Sequence, residues 1–205
     1  MKLGTPRTWV LAGVAAILLV ALLWVYGPSW ATEPSLPINA PANFPAATPG
    51  NVTALAVNLQ HSDSKYAIAA AVSLGQTGSS QAAAPLLSAA LHDSRPPVQA
   101  AALEGLTALR PQIDPASIIQ LAASAPDTSV RAAALEYLAA QKVEAAAPVM
   151  VKGLEDPDVL VRGRAYAGIR RLFERDYQFH ADDPPARRAA VIAVIRADNP
   201  FQKKD

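Results

Sequence analysis

The chain lacks cysteine altogether and is poor in histidine and aromatic residues: its 205 residues include three histidines, and Phe, Trp and Tyr together make up 6%. Without cysteine it can form no disulfide, thiolate nucleophile, zinc finger or iron–sulfur cluster. Charge is also sparse, since Lys and Arg number 18, Asp and Glu number 17, and the net charge is only +1. A basic surface for nucleic acid is therefore not expected, and no nucleic-acid partner is predicted.

Small apolar residues dominate what is present. Alanine alone accounts for 44 residues, and hydrophobic residues make up 51% of the chain. This composition is too apolar for a disordered chain. Because large side chains are few, a core has to form by the close approach of backbones, which alanine-rich helices allow. The composition therefore predicts close-packed helices.

An apolar segment near the N-terminus predicts a membrane anchor. Residues 9–26 contain neither charge nor proline over 18 positions. A helix of that length reaches about 27 Å, close to the thickness of the hydrocarbon core of a bilayer. Trp9 lies at one end and Trp24 and Tyr26 lie at the other, where aromatic rings prefer the membrane–water interface. We therefore predict a transmembrane helix, a signal anchor, over 9–26.

The charges around this helix predict its orientation. Two basic residues precede it, and none lies between Gly27 and Ser64. The positive-inside rule then places residues 1–8 in the cytoplasm and the remainder outside it. We predict a single-pass protein of the cytoplasmic (inner) membrane with a periplasmic or otherwise extracytoplasmic main domain. A cleaved signal peptide is the alternative, because Ser29 and Ala31 offer small residues at a possible cleavage site.

A proline-rich linker is predicted over 27–50. Six prolines lie at positions 28, 34, 37, 41, 45 and 49. Such a segment forms neither a helix nor a central strand and favours extended conformations.

The rest of the chain repeats one helical motif. Its copies are YAIAAAVSL at 66–74, VQAAALEGL at 98–106, VRAAALEYL at 130–138 and VRGRAYAGI at 161–169, spaced by 32, 32 and 31 residues. Within a copy, apolar residues recur every four positions, as at Val98, Ala102 and Leu106. These positions share one face of an α-helix. Alanine at the middle position lets a neighbouring helix come close.

A second helix is predicted between successive copies, beginning near Pro85, Pro115, Pro148 and Pro185. Proline is tolerated in the first turn of a helix, so each proline marks a start. Val52 to Gln60 matches the second helix of a truncated leading copy. The prediction is an all-α protein: an α-α superhelix of about four and a half helix pairs over 51–197, a tail at 198–205, and the N-terminal transmembrane helix.

The joints between repeats support this reading. Asp127 and Asp158 each precede a helix as N-cap residues, and an Arg, Arg131 or Arg162, follows four positions later. The cap contributes about 1 kcal/mol and an exposed Asp–Arg ion pair about 0.3–0.5 kcal/mol. Residues 177–183 interrupt the period, so we expect a longer loop there.

The run LEDPDVLVRGRA at 154–165, with its relatives at Asp127 and Arg95, resembles the HEAT-like repeats of the type found in phycobilisome lyases, over roughly residues 51–197. The resemblance implies a curved α-solenoid that binds other proteins. It also implies, for some members, a role as a lyase or chaperone-like factor for a chromophore. No catalytic residue, cofactor or metal ligand is carried over.

Candidate chemical groups are few. His61 and His92 follow equivalent second helices one repeat apart, so they could lie near each other and share a metal. Solvated residues at helix C-termini are the alternative, and it is the one we adopt. His180 lies near acidic residues in the predicted loop, where a solvated acidic loop is favoured over a weak cation site. No phosphate-binding loop or nucleophile elbow is present, so the sequence assigns no catalytic residue.

The last third of the chain combines arginine with aromatic residues, the composition of binding hot spots. A solvated end cap, which a solenoid needs because its last helix has no neighbour, is the alternative. The candidate partner-binding residues are Arg162, Arg164, Arg170, Arg171, Arg175, Arg187, Arg188, Phe173, Tyr177 and Phe179.

Three functional hypotheses follow. The main one is a membrane-anchored, non-catalytic interaction or assembly subunit of a membrane-associated complex, with other protein subunits as partners. The alternative is an exported enzyme or a lyase-like factor that binds a ligand or chromophore in the groove of the solenoid. In the third, the transmembrane helix itself is functional and packs through Gly13 and its small neighbours against another membrane subunit.

Overall fold

The computed structural model describes residues 44–198, all within one compact unit, Leu36–Asp205. Nine α-helices follow one another there, and none of these residues lies in a strand. The helices are α1 (Val52–Leu59), α2 (Ser64–Gln76), α3 (Ala83–His92), α4 (Pro96–Leu109), α5 (Ala116–Ser124), α6 (Thr128–Ala140), α7 (Ala147–Gly153), α8 (Val159–Phe173) and α9 (Pro185–Asp198). The all-helical prediction is confirmed for this part of the chain.

The helices form two layers. The alanine-rich motif builds α2, α4, α6 and α8, the first-helix layer, in which each helix packs against the next. The proline-initiated helices α3, α5, α7 and α9 form the second-helix layer together with α1. Each second-layer helix from α3 to α7 packs against the first-layer helix that follows it, whereas second-layer helices contact one another only sparsely. This is the predicted HEAT-like arrangement of four helix pairs and one leading half pair.

The predicted faces and starts agree with the helices. Val98, Ala102 and Leu106 are all fully buried. Pro148 lies in the first turn of α7 and Pro185 begins α9. Prolines suit these positions because the first backbone N–H groups of a helix have no acceptor within it.

Glycine permits the closest approach in the first-helix layer. A Cβ placed on Gly75 in α2 would lie 2.6 Å from the Cα of Gly105 in α4. A Cβ on Gly105 would lie 2.6 Å from the carbonyl oxygen of Ala71. Here the two helix backbones are in direct contact, as expected for a core built from small residues.

The packed region begins before the first helix. Phe44 and Ala47, within the segment assigned to the linker, are buried, and the Phe44 ring lies 6.5 Å from the ring of Tyr66. The side-chain amide of Asn51 donates to the carbonyl of Ala46 at 3.0 Å. The end of the linker therefore packs onto α2 instead of leading to it as a free spacer.

The predicted caps form, but the predicted ion pairs do not. Asp127 accepts the backbone N–H groups of Ser129 and Val130, and Asp158 accepts that of Leu160. The Asp127–Arg131 and Asp158–Arg162 pairs are a correction to the prediction, because no salt bridge joins them among the described residues. A capping carboxylate points at its own helix N-terminus, so each arginine is left to find other acceptors.

The arginines cross between loops instead. Arg131 makes a bidentate bond to Asp156 of the next repeat, at 2.9 and 3.0 Å. Arg162 donates to the carbonyl oxygens of Asp156 and Pro157 and, across the next loop, to that of Ala181 at 2.7 Å. Loop carbonyls accept hydrogen bonds from three arginines in this way: Arg95, Arg131 and Arg162.

Candidate functional site

The C-terminal aromatic residues pack within the fold. Phe179 is only 4% exposed, and its ring lies 5.3 Å from the ring of Tyr166 on α8. Phe173 and Tyr177 meet edge to face at 6.3 Å. The loop that interrupts the repeat period therefore folds back and covers the end of the stack, as a capping element does.

A hydrogen-bond network holds this loop in place. The Tyr166 hydroxyl donates to Asp176 and accepts the backbone N–H of Tyr177 at 2.9 Å. The Tyr177 hydroxyl donates to Asp198 on α9 at 2.6 Å. Burial, together with the bond to Asp198 and its negative charge, raises the pKa of Tyr177 to about 12. Each of these features favours the neutral phenol, so Tyr177 keeps its proton and its hydrogen bond to Asp198 at physiological pH.

Most of the candidate arginines are neutralised by neighbouring carboxylates. The ion pairs are Arg164–Glu136, Arg170–Asp176, Arg175–Asp198 and Arg187–Asp183. Arg188 donates to the carbonyl of Asp183, and Arg162 is buried. Arg171 is exposed and has no partner among the described residues. A partner could reach neither Arg162 nor Phe179 directly, and a docking role for the remaining residues stays a prediction.

A groove runs between α1 and α3 in the second-helix layer. Its more apolar section is lined by Ala56, Leu59, Pro85 and Ala89, together with Gln60, Ser88, His92 and Asp93. Its polar end, a cavity of about 460 Å³ open to solvent, is lined by Gln60, His61, Ser62, His92, Asp93, Ser94 and Arg95. The two sections share three of these polar residues and are therefore continuous. We call this the α1–α3 groove.

The two histidines, both exposed, line the same polar end. His61 stacks on Tyr66 at 4.4 Å, and its Nδ1 accepts the backbone N–H of Asp63 at 3.0 Å. His92 is the last residue of α3. Neither His61 Nε2 nor the His92 ring has a hydrogen-bond partner within residues 44–198. The same residues contain no group of three His, Asp or Glu side chains placed to hold a metal ion.

Arg95 joins the two sides of the groove. Its guanidinium donates to Asp93 through two nitrogens, at 2.9 and 2.8 Å, and to the carbonyl of His61 at 2.7 Å. The side-chain hydrogen bonds from Arg95 hold the pKa of Asp93 below its usual value, against the opposing effect of burial. Arg95 precedes Val98 of its repeat by three residues, whereas Arg131 directly follows Val130, the equivalent position of the next repeat. Because the two arginines do not align in the repeat, the sequence did not indicate this role for Arg95.

An equivalent groove lies two repeats further along, between α5 and α7. It is lined by Ala122, Ala123, Val149, Lys152, Gly153, Glu155, Asp156 and Pro157. Glu155 follows His92 by 63 residues, two repeat lengths, and pairs with Arg196 of α9. We call this the α5–α7 groove. The histidine pair is thus a property of one groove, while the helical frame is common to both.

The acidic loop around His180 is engaged with the protein. Asp176 accepts from Tyr166 and pairs with Arg170 at 3.7 Å, and Asp183 pairs with Arg187. These carboxylates are committed to neighbouring donors.

Comparison with known proteins shows no family for this chain. No protein-family model matches the chain, and no curated protein matches it. Among solved structures, the complex of CpcE and CpcF of phycocyanin lyase from a Nostoc species is similar to it, with a TM-score of 0.49 and 21% sequence identity. The match covers 72% of this chain and 98% of that chain. The neighbour has a HEAT-like helical repeat fold and works in a complex with a partner protein.

This comparison corrects the main functional hypothesis. The similar structure is a phycocyanin lyase, which does not favour a membrane-anchored, non-catalytic assembly subunit, and that hypothesis is not proposed again. The alternative hypothesis, an exported enzyme or a lyase-like factor that binds a ligand or chromophore in the groove of the solenoid, remains a hypothesis.

The predicted membrane anchor, with Trp9, Trp24 and Tyr26, lies outside the described residues. Within residues 44–198, no helix is both long and apolar enough to cross a bilayer. The anchor and the location outside the cytoplasm therefore stay predictions.

Proposed function

We propose that the repeat domain is a ligand-binding factor that holds an organic acid with an apolar body in the α1–α3 groove. The observation that carries this proposal is that two exposed imidazoles, His61 and His92, line the polar end of a groove whose other section adds aliphatic side chains. Binding is the activity assigned, and no covalent step is attributed to these residues.

The hydrogen-bonding pattern favours an acidic group on the ligand. Because Nδ1 of His61 accepts a backbone N–H, the neutral ring carries its hydrogen on Nε2 and is a donor there. His92 and the hydroxyls of Ser62 and Ser94 add further donors at the same end. The charge of Asp93 is compensated by Arg95, so it does not repel an anion strongly. Donors gathered in this way suit a carboxylate, sulfonate or phosphate.

The apolar section accounts for the rest of the ligand. Ala56, Leu59, Pro85 and Ala89 offer aliphatic carbon beside the hydroxyl of Ser88 and the ion-paired carboxylate of Asp93. Burial of apolar surface against such a wall contributes about 25 cal/mol per Å². A flat, hydrophobic ring system with an acidic substituent would therefore bind through both sections at once.

The α5–α7 groove supplies the contrast. Glu155 stands where His92 stands in the first groove, and its carboxylate is held by Arg196. An anionic group would find no imidazole donor at that position. The part of the acid preference that depends on the histidines should therefore belong to the α1–α3 groove.

Two fluorescent probes with nearly the same aromatic body test the proposal. 8-Anilinonaphthalene-1-sulfonate carries an acid group, and N-phenyl-1-naphthylamine lacks it. We expect the His61→Ala, His92→Ala double variant to lose about tenfold in affinity for the sulfonate, which corresponds to one charge-assisted hydrogen bond of about 1.4 kcal/mol. Affinity for the neutral probe should change less than about twofold.

Lys152→Ala in the α5–α7 groove is the control, since it removes an exposed cation from the lining of the other groove. It should leave sulfonate binding unchanged. Equal binding of both probes by the wild type, or loss of sulfonate binding in Lys152→Ala but not in the histidine variant, would overturn the proposal.

We also propose that the domain works outside the cytoplasm behind the anchor at 9–26. The asymmetry of basic residues around that segment supports this location.

A further inference from the structure

We infer that Arg95 is a positioning residue that fixes the spacing of the two histidines across the α1–α3 groove. The inference rests on the proposed function, because it concerns the same groove. It adds a residue whose guanidinium bonds to protein acceptors through all three of its nitrogens and which acts by holding the segments that carry His61 and His92.

The contacts of Arg95 span the groove. On the α3 side, Nε and Nη2 donate to the two carboxylate oxygens of Asp93, the residue after His92. On the α1 side, Nη1 donates to the carbonyl of His61 at 2.7 Å and to that of Ser62 at 3.3 Å. One planar group therefore ties together the two loops that carry the imidazoles.

This bridge matters because the two helices that flank the groove have few direct contacts with each other. Helices α1 and α3 contact each other sparsely, whereas each packs against a first-layer helix. A bidentate guanidinium–carboxylate bond has a fixed fork geometry that a lysine ammonium cannot reproduce. The distance between the loops is thus set by a rigid group.

The α5–α7 groove contains a chemically matched arginine–aspartate bridge between two loops. Arg131 binds Asp156 in the same bidentate way and donates to the carbonyls of Ala125 and Pro126, at 2.9 and 3.0 Å. The residue before Asp156 is Glu155, not histidine. Removing Arg131 therefore disturbs an equivalent loop bridge without touching the histidines.

The experiment compares Arg95→Gln, Arg95→Lys and Arg131→Gln in the full chain. The first readout is the imidazole ¹H–¹⁵N spectrum of the ligand-free protein. We expect the His61 and His92 resonances to shift in both Arg95 variants and to stay in place in Arg131→Gln. The second readout is the affinity for 8-anilinonaphthalene-1-sulfonate, which we expect to fall about fivefold to tenfold in both Arg95 variants only. Urea unfolding identifies any variant that has lost its fold.

The two readouts separate this inference from the proposed function. A wild type without sulfonate preference would refute the proposed function, while shifted imidazole resonances in Arg95→Gln would still support the positioning. Unchanged imidazole resonances and unchanged sulfonate affinity in a folded Arg95→Gln would overturn the positioning role. Restoration of wild-type affinity by Arg95→Lys would overturn it as well, because the fork geometry would then be unnecessary.

Discussion

Replacing Gly105 with alanine tests the claim that backbones meet in the first-helix layer. The added Cβ would lie 2.6 Å from the carbonyl oxygen of Ala71 and 2.9 Å from Cδ2 of Leu86. The first distance is about 0.8 Å shorter than the 3.4 Å at which ordinary contact begins. Leu86 can change its rotamer, but the Ala71 carbonyl belongs to α2 and cannot rotate away, so the helices must separate.

The expected cost follows from two opposing effects. Overpacking of a close-packed core costs about 1–3 kcal/mol, and a backbone clash belongs at the upper end of that range. Alanine returns about 1 kcal/mol through its higher helix propensity. We therefore expect Gly105→Ala to lower the free energy of unfolding by about 2 kcal/mol, and the thermal midpoint by about 4–8 °C.

Gly163→Ala is the matched control. Gly163 also lies inside a first-layer helix, α8, but a Cβ there would meet nothing within 4 Å. Only the propensity effect remains, so this variant should gain about 0.5–1 kcal/mol. Urea unfolding of both variants, with the m-value as a check on two-state behaviour, measures the difference in sign. If Gly105→Ala stabilised the protein as Gly163→Ala does, α2 and α4 would not be in backbone contact.

Three further predictions follow. Burial raises the pKa of Asp156, but the hydrogen bonds from Arg131 and the Asp158 backbone N–H, with the charges of Arg131 and Arg162, hold it below 3.8. The Arg131–Asp156 pair therefore stabilises the fold above pH 3.8 and less as the pH falls through the folded pKa. The urea midpoints of wild type and Arg131→Gln should differ at pH 7 and approach each other as the pH falls below 3.8, and a difference independent of pH would contradict this. The pKa of Tyr177 is raised from 10.0 to about 12, so the stability that its hydrogen bond to Asp198 contributes is complete below pH 10 and is lost as the pH rises towards 12. Tyr177→Phe should remove from the ultraviolet titration one phenol that ionises near pH 12, and an unchanged titration would count against the bond to Asp198. Alkaline phosphatase fused after residue 205 should be active in a bacterial host, and inactive after deletion of residues 9–26; activity without that segment would refute the anchor.

The repeat architecture was predictable because its signal is local and recurs. Apolar positions four residues apart identify a helix face at Val98, Ala102 and Leu106, and all three are buried. The capping roles of Asp127 and Asp158 were predictable for the same reason, since a cap and its helix are neighbours in sequence.

The destinations of long side chains were not predictable. Arg131 lies four residues from Asp127, yet it binds Asp156, which is 25 residues away. An arginine reaches as far as the adjacent repeat, so the choice between acceptors depends on how successive loops stack. The same uncertainty applied to Phe179, which seals the core instead of facing a partner.

The sequence alone determined the helices, their order and the equivalent positions of His61 and His92 in successive repeats. Only the tertiary structure decided that these residues share a groove with Arg95, that Gly75 meets Gly105, and that Glu155 occupies the corresponding place in the second groove. The physical reason is one of range. Backbone hydrogen bonds and hydrophobic periodicity act within a few residues, whereas the shape and charge of a groove arise where two helices about 30 residues apart meet.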